Sequence, residues 1–328
     1  MRSTLKSGAG ILLALAAARL APADVKERAK PVFKDNYVTA NGVRLHYVSA
    51  GKGPLILFLH GFPEFWYEWK DQLAEFGKDH LAVAPDMRGY NLSDKPRDLA
   101  QYRISVLVED IRALGEHFAP GKKFVLVGHD WGGAVAWSFA IAHPEMVEKL
   151  IIVNAPHPGI FARLLAGDAA QQQASQYMLL FRSPQAEATL SAGNYAALVN
   201  AVLGAGLKNG VFTEADKAAY LKAWSHPGAL TGGLNYYRAN QVGPPAPGQA
   251  AGASEPGGNF AVDPNRLMVT TPSLVIWGEK DTALLTQNLD GLDQFVPRLT
   301  IKRIPDGSHW VIHEKRDEVN AEIRAFLR

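Results

Sequence analysis

The chain has 328 residues, of which 47% are hydrophobic, enough to bury the core of one large domain with an insertion or of two small domains. Its 34 Lys and Arg residues nearly balance 32 Asp and Glu residues, and a net charge of +2 gives no electrostatic case for binding nucleic acid. The absence of cysteine excludes a disulfide framework, a thiolate nucleophile and a metal held by cysteine.

The N-terminus has the pattern of an export signal. An apolar stretch at 8–18 follows two basic residues, and the Ala-Pro-Ala at 21–23 fits a signal-peptidase site. The apolar stretch is too short to span a bilayer, which takes about 20 residues, so no stable membrane insertion is expected. We predict a signal peptide at 1–23 and a periplasmic or secreted protein. Arg19 weakens this interpretation, and a frayed N-terminal helix on a cytoplasmic protein is the alternative.

Short apolar strands alternate with helical patterns along the next part of the chain. Predicted strands lie at 34–39, 43–47, 54–59, 80–84, 123–127, 150–153, 274–277 and 299–304. Predicted helices between them lie at 65–76, 104–118 and 134–142. Continuously apolar strands that alternate with helices are typical of an α/β fold with a mostly parallel sheet flanked by helices on both faces.

The alternation stops after Pro158, where helical patterns follow one another without strands. A helical block inserted between two halves of a sheet forms a cap over one edge of it. We predict a core made of residues 24–158 and 266–328. The inserted cap is predicted at 159–265, and it ends in a return loop that is rich in proline and glycine at 243–258.

Asp130 is the candidate nucleophile. It lies at the centre of Gly-His-Asp-Trp-Gly-Gly, residues 128–133, between a predicted strand and a predicted helix. This is the context of a nucleophile elbow, in which small residues on either side allow a sharp turn, although the commoner elbow has serine at its centre. An aspartate that caps a helix after an ordinary tight turn is the alternative, and the motif alone does not exclude it.

A carboxylate nucleophile selects the class of reaction. Attack on an ester would give an anhydride, whereas attack on a saturated carbon gives an alkyl ester that water can hydrolyse. Epoxides and alkyl halides offer such a carbon together with a small leaving group. Asp130 therefore indicates alkylation chemistry rather than acyl transfer.

The second step needs a base, and His309 is the candidate. It follows the last predicted strand, and Asp281 follows the strand before it. Nucleophile, acid and histidine thus occur in the chain order of the α/β-hydrolase triad. A neutral imidazole takes a proton from water, while Asp281 holds the ring and stabilises the imidazolium. Less well placed rivals for these roles are Asp306, His313 and Glu279.

The backbone N–H groups of Phe62 and Trp131 are the predicted oxyanion hole. Phe62 lies in His-Gly-Phe-Pro, directly after the strand at 54–59, and Trp131 follows the nucleophile. Such donors stabilise the tetrahedral intermediate of ester hydrolysis. A plain turn that ends at proline is the alternative interpretation of His-Gly-Phe-Pro.

Seven motifs in one order resemble the soluble epoxide hydrolases of the α/β-hydrolase fold. They are HGFPEFWYEW, PDMRGYNLSDKP, GHDWGG, NAPHP, LNYYR, VIWGEKD and RIPDGSHWVIHEK. The resemblance runs from about Val43 to the C-terminus and implies an epoxide hydrolase with a helical cap. It also implies two cap tyrosines that donate hydrogen bonds to the epoxide oxygen, at Tyr177 and Tyr237. Tyr236 is adjacent, but Tyr237 is preferred because it directly precedes Arg238.

Phenols suit this role because a reference pKa of about 10 lets them donate while they stay protonated at neutral pH. Helix packing is the alternative role for such tyrosines. The expected partners are water and a small apolar epoxide, and no cofactor or metal is predicted. Aromatic and apolar side chains are the candidates for substrate binding, with ordinary core packing as the alternative: Trp66, Phe181, Met178, Leu179 and Trp310.

Other functions stay open. Haloalkane dehalogenases share the Asp-Trp pair and the triad, but they hold the halide with a second Trp or Asn. Phe62 has no side-chain N–H, so Trp66 would have to substitute. Haloacid dehalogenases of this fold place an arginine where this chain has Trp131. A non-catalytic hydrolase-like binding protein is an alternative of another class, and the sequence predicts no oligomeric state.

Overall fold

The computed structural model describes residues 32–245 and 267–328. The predicted signal peptide and most of the predicted return loop lie outside these residues. Export and the exact bounds of a cap domain therefore stay predictions.

An eight-stranded sheet lies at the centre of the described chain. Its strands are β1 Lys34–Ala40, β2 Val43–Gly51, β3 Leu55–Leu59, β4 Leu81–Pro85, β5 Phe124–His129, β6 Val147–Val153, β7 Ser273–Gly278 and β8 Leu299–Ile304. Their spatial order is β1-β2-β4-β3-β5-β6-β7-β8. Strand β2 pairs antiparallel with β1 and β4, and every other neighbouring pair is parallel. The predicted mostly parallel sheet is confirmed.

Helices fill the connections between the strands. They are α1 Lys70–Phe76, α2 Ile104–Phe118, α3 Asp130–Ala142, α4 Pro158–Gly167, α5 Ala169–Ala174, α6 Tyr177–Arg182, α7 Ala186–Leu198, α8 Gly204–Asn209, α9 Glu214–Ser225, α10 Ala229–Asn240, α11 Val311–Glu314 and α12 Arg316–Leu327. Short 3₁₀ turns lie at Trp66–Trp69, Leu99–Tyr102, Thr286–Leu289 and Leu292–Gln294.

Both faces of the sheet are buried, because successive side chains of a strand point to opposite sides. In β5, Leu126 packs in one cluster with Trp137 of α3. Val127 points to the other face and packs in a second cluster with Leu73 of α1 and Ile323 of α12. Each of these side chains is fully buried, which stabilises the fold by about 1.5–3 kcal/mol per large aliphatic group. This double burial explains why the central strands have no polar side in the sequence.

Helices α4 to α10 lie between β6 and β7, and we call them the helical insert (Pro158–Asn240). Sequence patterns did not predict α4, which starts at Pro158, where the missing N–H of proline costs nothing in the first turn. Helix α7 is interrupted by positive φ angles at Gly193, Asn194 and Tyr195, and a π-helical turn, Val199–Leu203, follows it. The insert and the sheet cluster as one compact unit.

Part of the insert is apolar over a length that could cross a membrane. The segment Ala186–Asn209 has 24 residues and a mean hydropathy of 1.2 in its most apolar window, of which 28% is buried. This resemblance to a membrane span rests on length and composition alone, and the positive φ angles near Gly193 break the helix. The expectation of no stable membrane insertion stays a prediction.

Candidate active site

Asp130 occupies the sharp turn between β5 and α3. Its φ of 48° lies in the left-handed region, which non-glycine residues rarely adopt. The turn is tightly packed: a Cβ on Gly132 would lie 2.1 Å from the carbonyl oxygen of Leu59, and one on Gly128 would lie 2.4 Å from the Gly132 oxygen. The small residues around Asp130 are therefore a steric requirement of this turn. The Asp130 side chain itself stays 12% exposed.

His309 lies between the carboxylates of Asp281 and Asp130, which the sequence predicted to share one site with it. Its Nδ1 is 2.7 Å from Oδ2 of Asp281, and its Nε2 is 3.8 Å from Oδ2 of Asp130. The other oxygen of Asp281, Oδ1, is held in place because the backbone N–H groups of Ala283 and Leu284 donate to it at 2.8 and 2.9 Å. The structure thus brings the three predicted triad side chains together at the ends of β5, β7 and β8.

Asn154 is a residue of this site that sequence reasoning missed. It follows the last residue of β6, has a φ of 37°, and donates from Nδ2 to Oδ2 of Asp281 at 2.8 Å. Its Oδ1 accepts the N–H of Gly278 at 2.8 Å. Burial raises the pKa of Asp281, but His309 and the hydrogen bonds from Leu284 and Asn154 outweigh burial, and the pKa is lowered overall. Asp281 is therefore held as a carboxylate facing the imidazole.

The charge on His309 follows from its surroundings. Burial lowers the pKa of this imidazole, but the attraction and hydrogen bond of Asp281, together with the attraction of Asp130, outweigh burial and bring the pKa to about 9. At neutral pH the ring is an imidazolium as long as Asp130 is charged. Any event that neutralises Asp130 removes one of the causes of this high pKa.

The two oxygens of Asp130 have different environments. The backbone N–H of Phe62 donates to Oδ1 at 2.8 Å, whereas Oδ2 faces His309. The chain before Phe62 approaches so closely that a Cβ on Gly61 would lie 2.4 Å from the Asp130 Cβ. Trp131 belongs to the first turn of α3, where backbone N–H groups have no partner within the helix. The Phe62 N–H thus contacts the Asp130 carboxylate, whereas the role of the Trp131 N–H stays a prediction.

An apolar cavity opens beside this carboxylate. The residues that line it are Asp130, Trp131, Ala134, Pro156, Pro158, Phe161, Met178, Tyr237, Val242 and Leu284. Burial raises the pKa values of Tyr177 and Tyr237 well above the usual value, and the charge of Asp130 raises both further. Both phenols therefore stay protonated close to the candidate nucleophile. The neighbouring Tyr236 instead donates its hydroxyl to the carbonyl oxygen of Arg88 at 2.8 Å.

Aromatic rings of the insert pack against Phe62 and Trp131, which flank Asp130. Phe181 of α6 lies 5.1 Å from the rings of Phe62, Tyr177 and Tyr237. The Trp131 ring packs edge-on against Tyr237 at 5.1 Å. Phe181, which was predicted to contact substrate, is not among the residues that line the cavity, and it packs against both phenols instead.

The predicted substrate contacts Trp66 and Trp310 have other neighbours. The Trp66 ring packs edge-on against Phe33 at 6.2 Å and is not among the residues that line the cavity. Trp310 packs edge-on against His309 at 4.8 Å, and its indole N–H donates to the carbonyl oxygen of Ala201 in the insert at 3.1 Å. Packing explains both positions, and neither residue is among those that line the cavity.

The rivals for the triad roles are engaged elsewhere. Exposed Asp306 pairs with Lys315, and Glu279 pairs with Arg303 at 3.1 Å. These pairs are separate from the imidazole of His309.

One group of side chains in the described part of the chain has the spacing of metal ligands. Ligand atoms of Glu64, Glu68 and His313 all lie within 4.8 Å of one another, and all three residues are buried. Each already has a protein partner: His313 pairs with Glu64 at 3.3 Å, Tyr220 donates to Glu64, and Glu68 contacts His129. We therefore describe this group as a hydrogen-bond network.

Comparisons with known proteins identify the fold and the family of this chain. The family model of the α/β hydrolase fold matches residues 54–316. AB hydrolase superfamily protein YfhM of Bacillus subtilis (strain 168) is 38% identical over 299 residues, which cover 90% of this chain and 98% of that protein. Epoxide hydrolase 4 of Mus musculus is 38% identical over 299 residues, which cover 88% of this chain and 77% of that protein.

A solved structure extends the similarity to three dimensions. A mutant of an epoxide hydrolase from Bacillus megaterium, complexed with its naphthyloxy-propanediol product, matches with a TM-score of 0.80 at 37% identity. The match covers 89% of this chain and 99% of that chain. The chain described here therefore belongs to the α/β-hydrolase fold family and, within that fold, to the family of the epoxide hydrolases.

Proposed function

We propose that this protein converts an epoxide to a vicinal diol through a hydroxyalkyl ester on Asp130, which water activated by His309 then hydrolyses. The observation that carries this proposal is the position of the Asp130 carboxylate. One oxygen is held by the N–H of Phe62, and the other lies 3.8 Å from the imidazole beside an apolar cavity that Tyr237 also lines. A carboxylate in that position is suited to attack carbon and then to be released by water.

In the first step, Oδ2 of Asp130 forms a bond to an epoxide carbon while the carbon–oxygen bond of the ring breaks. The leaving oxygen becomes an alkoxide, which is strongly basic, so a proton donor lowers the barrier. Tyr177 and Tyr237 supply that donor, because burial keeps both phenols protonated. The proton of the His309 imidazolium then restores the phenol.

In the second step, His309 acts as a base. Ester formation removes the charge of Asp130, which lowers the pKa of His309 from its value of about 9 and leaves the ring neutral. The ring takes a proton from water, the hydroxide adds to the ester carbonyl, and the N–H groups of Phe62 and Trp131 stabilise charge on Oδ1. Release of the diol restores the Asp130 carboxylate and the imidazolium, so atoms and charges balance over the cycle.

The relatives support the same substrate class. The Bacillus megaterium enzyme is complexed with a diol product that bears a naphthyloxy group. The cavity of this chain is lined by Phe161, Met178, Val242 and Leu284, which favours an uncharged, apolar epoxide.

Dehalogenation is the competing reaction for an aspartate nucleophile. It needs two N–H donors for the halide, and Trp131 lines the cavity whereas Trp66 does not. A panel of aryl epoxides, aliphatic epoxides and alkyl halides separates the two activities when diol formation and halide release are both measured. We expect diol from epoxides. Halide release without diol formation would contradict the proposal, and turnover of neither class would favour a binding protein.

Removing the cap phenols is expected to slow the alkylation step. Tyr237→Phe and Tyr177→Phe should each lower the single-turnover rate of ester formation by about 10- to 100-fold, and the double variant should lower it further. Tyr195→Phe is the matched control, because its hydroxyl donates to the Trp224 carbonyl within the insert. A double variant that alkylates at the wild-type rate would show that the phenols only pack.

The pH dependence of kcat is expected to differ from the titration of the free enzyme. Because neutral His309 is the base, ester hydrolysis should speed up as pH rises through its pKa in the intermediate. That pKa should lie below the value of about 9 in the free enzyme, since the Asp130 charge is absent from the ester. Stopped-flow measurement of ester decay and NMR titration of His309 give the two values. Equal values, or a higher one in the intermediate, would contradict this mechanism.

A further inference from the structure

A buried hydrogen-bond chain lies behind His309 and is not used in the two chemical steps. It begins at Glu68, in the 3₁₀ turn Trp66–Trp69, with a side chain that is 1% exposed. Oε2 of Glu68 accepts the N–H of Gly61 at 3.2 Å, and Oε1 contacts Nδ1 of His129. Nε2 of His129 lies 3.0 Å from the main-chain oxygen of His309. Glu68 thus contacts Gly61, which precedes the oxyanion donor Phe62, and it is linked through His129 to the backbone of His309.

The hydrogen-bond partners determine which atoms of His129 and Glu68 carry protons. A carbonyl oxygen only accepts, so Nε2 of His129 must carry a hydrogen to bond with His309. In a neutral imidazole, Nδ1 is then bare and needs a donor. Only a protonated Glu68 carboxyl can supply one, while its other oxygen accepts from Gly61. The alternative is an ion pair with a charged imidazolium and a carboxylate.

The surroundings favour the uncharged pair. Burial lowers the pKa of His129 to about 3, and burial together with the charge of Glu64 raises the pKa of Glu68 well above its usual value. The titratable groups that face the pair are Glu64, His313, Asp130, Asp281, His309, His60, Tyr90 and Tyr220. Glu64 is itself matched by His313, which leaves no free positive charge to stabilise a second carboxylate.

We propose that Glu68 is an uncharged positioning residue whose carboxylic acid, through His129, holds the main chain of His309 and, through Gly61, the oxyanion loop. This rests on the proposed function, because positioning is defined relative to His309 as a base. The absence of charge on Glu68 favours the second step of the reaction. A negative charge on Glu68 would raise the proton affinity of His309. The imidazole would then stay protonated, although ester hydrolysis needs it in its neutral form.

Two substitutions at this position separate hydrogen bonding from charge. Glu68→Gln keeps a donor for His129 and an acceptor for Gly61, so we expect ester decay within about threefold of wild type and an unmoved pH profile. Glu68→Leu removes both hydrogen bonds, and we expect ester decay to fall by about 10- to 100-fold with a smaller effect on alkylation. A glutamine variant that loses as much as the leucine variant, or whose ester-decay profile shifts to lower pH, overturns the proposal.

Infrared difference spectroscopy of the wild type against Glu68→Gln tests the proton directly and needs no substrate. We expect the wild type to show the band of a protonated carboxyl group at neutral pH that the variant lacks. A carboxylate band in its place overturns the proposal, even if the leucine variant does not fold. Failure of the proposed function is distinguishable, because the wild type would then form no ester on Asp130 whatever the infrared spectrum shows.

Discussion

Replacing His309 with glutamine is expected to leave the protein as a stable ester on Asp130. Alkylation needs the carboxylate, the phenols and an empty cavity, whereas ester hydrolysis needs the imidazole, whose Nε2 lies 3.8 Å from Oδ2 of Asp130. Glutamine offers no base, so ester decay should slow by about 10²- to 10⁴-fold. A rapid burst of one equivalent of alkylation should remain, after which turnover stops.

Intact-protein mass spectrometry after mixing with an epoxide measures this outcome. The variant should gain the mass of the epoxide, and peptide mapping should place it on Asp130. His117→Gln is the matched control, since this histidine is exposed on α2 and should turn over normally. A His309→Gln variant that turns over at the wild-type rate would remove the imidazole from the mechanism.

Replacing Asp130 with alanine is expected to abolish both alkylation and turnover. No other carboxylate among the residues that line the cavity can attack the substrate. We expect kcat to fall by roughly four to six orders of magnitude, as when a covalent nucleophile is removed from a triad. Alanine must adopt the left-handed φ of 48° at this turn, so the thermal unfolding midpoint has to be measured alongside.

Asp306→Ala provides the control for that variant. This carboxylate is exposed in the same loop as His309 and pairs with Lys315 on the surface. We expect it to keep the wild-type rate. Substantial diol formation by a folded Asp130→Ala protein would mean that water attacks the epoxide directly.

The sequence predicted those parts of the site that depend on local order along the chain. Asp130 lies between an apolar strand and a helix in a motif that requires small neighbours. Asp281 and His309 follow the last two strands, and parallel strands end at the same edge of a sheet. Proximity of the three side chains follows from that topology, so the order of elements in the sequence predicts it.

Other parts depend on contacts between distant segments, which the order of residues along the chain does not specify. Asn154 supports Asp281 across 127 residues, and Glu68 meets His129 across 61 residues. Trp66 was predicted to contact substrate, but the 3₁₀ turn that contains it places its ring against Phe33. Helix α4 was not predicted because it follows the segment after β6 that contains Pro156 and Pro158, without a separate polar boundary.

The central claim is that the oxygen added to substrate comes first from Asp130 and only later from water. A single turnover with enzyme in excess, in water enriched in the heavy oxygen isotope, tests it most directly. We expect the first diol to carry no heavy oxygen and the Asp130 carboxylate to acquire it when the ester is hydrolysed. Heavy oxygen in the diol of that first turnover, with none on Asp130, would contradict the covalent mechanism.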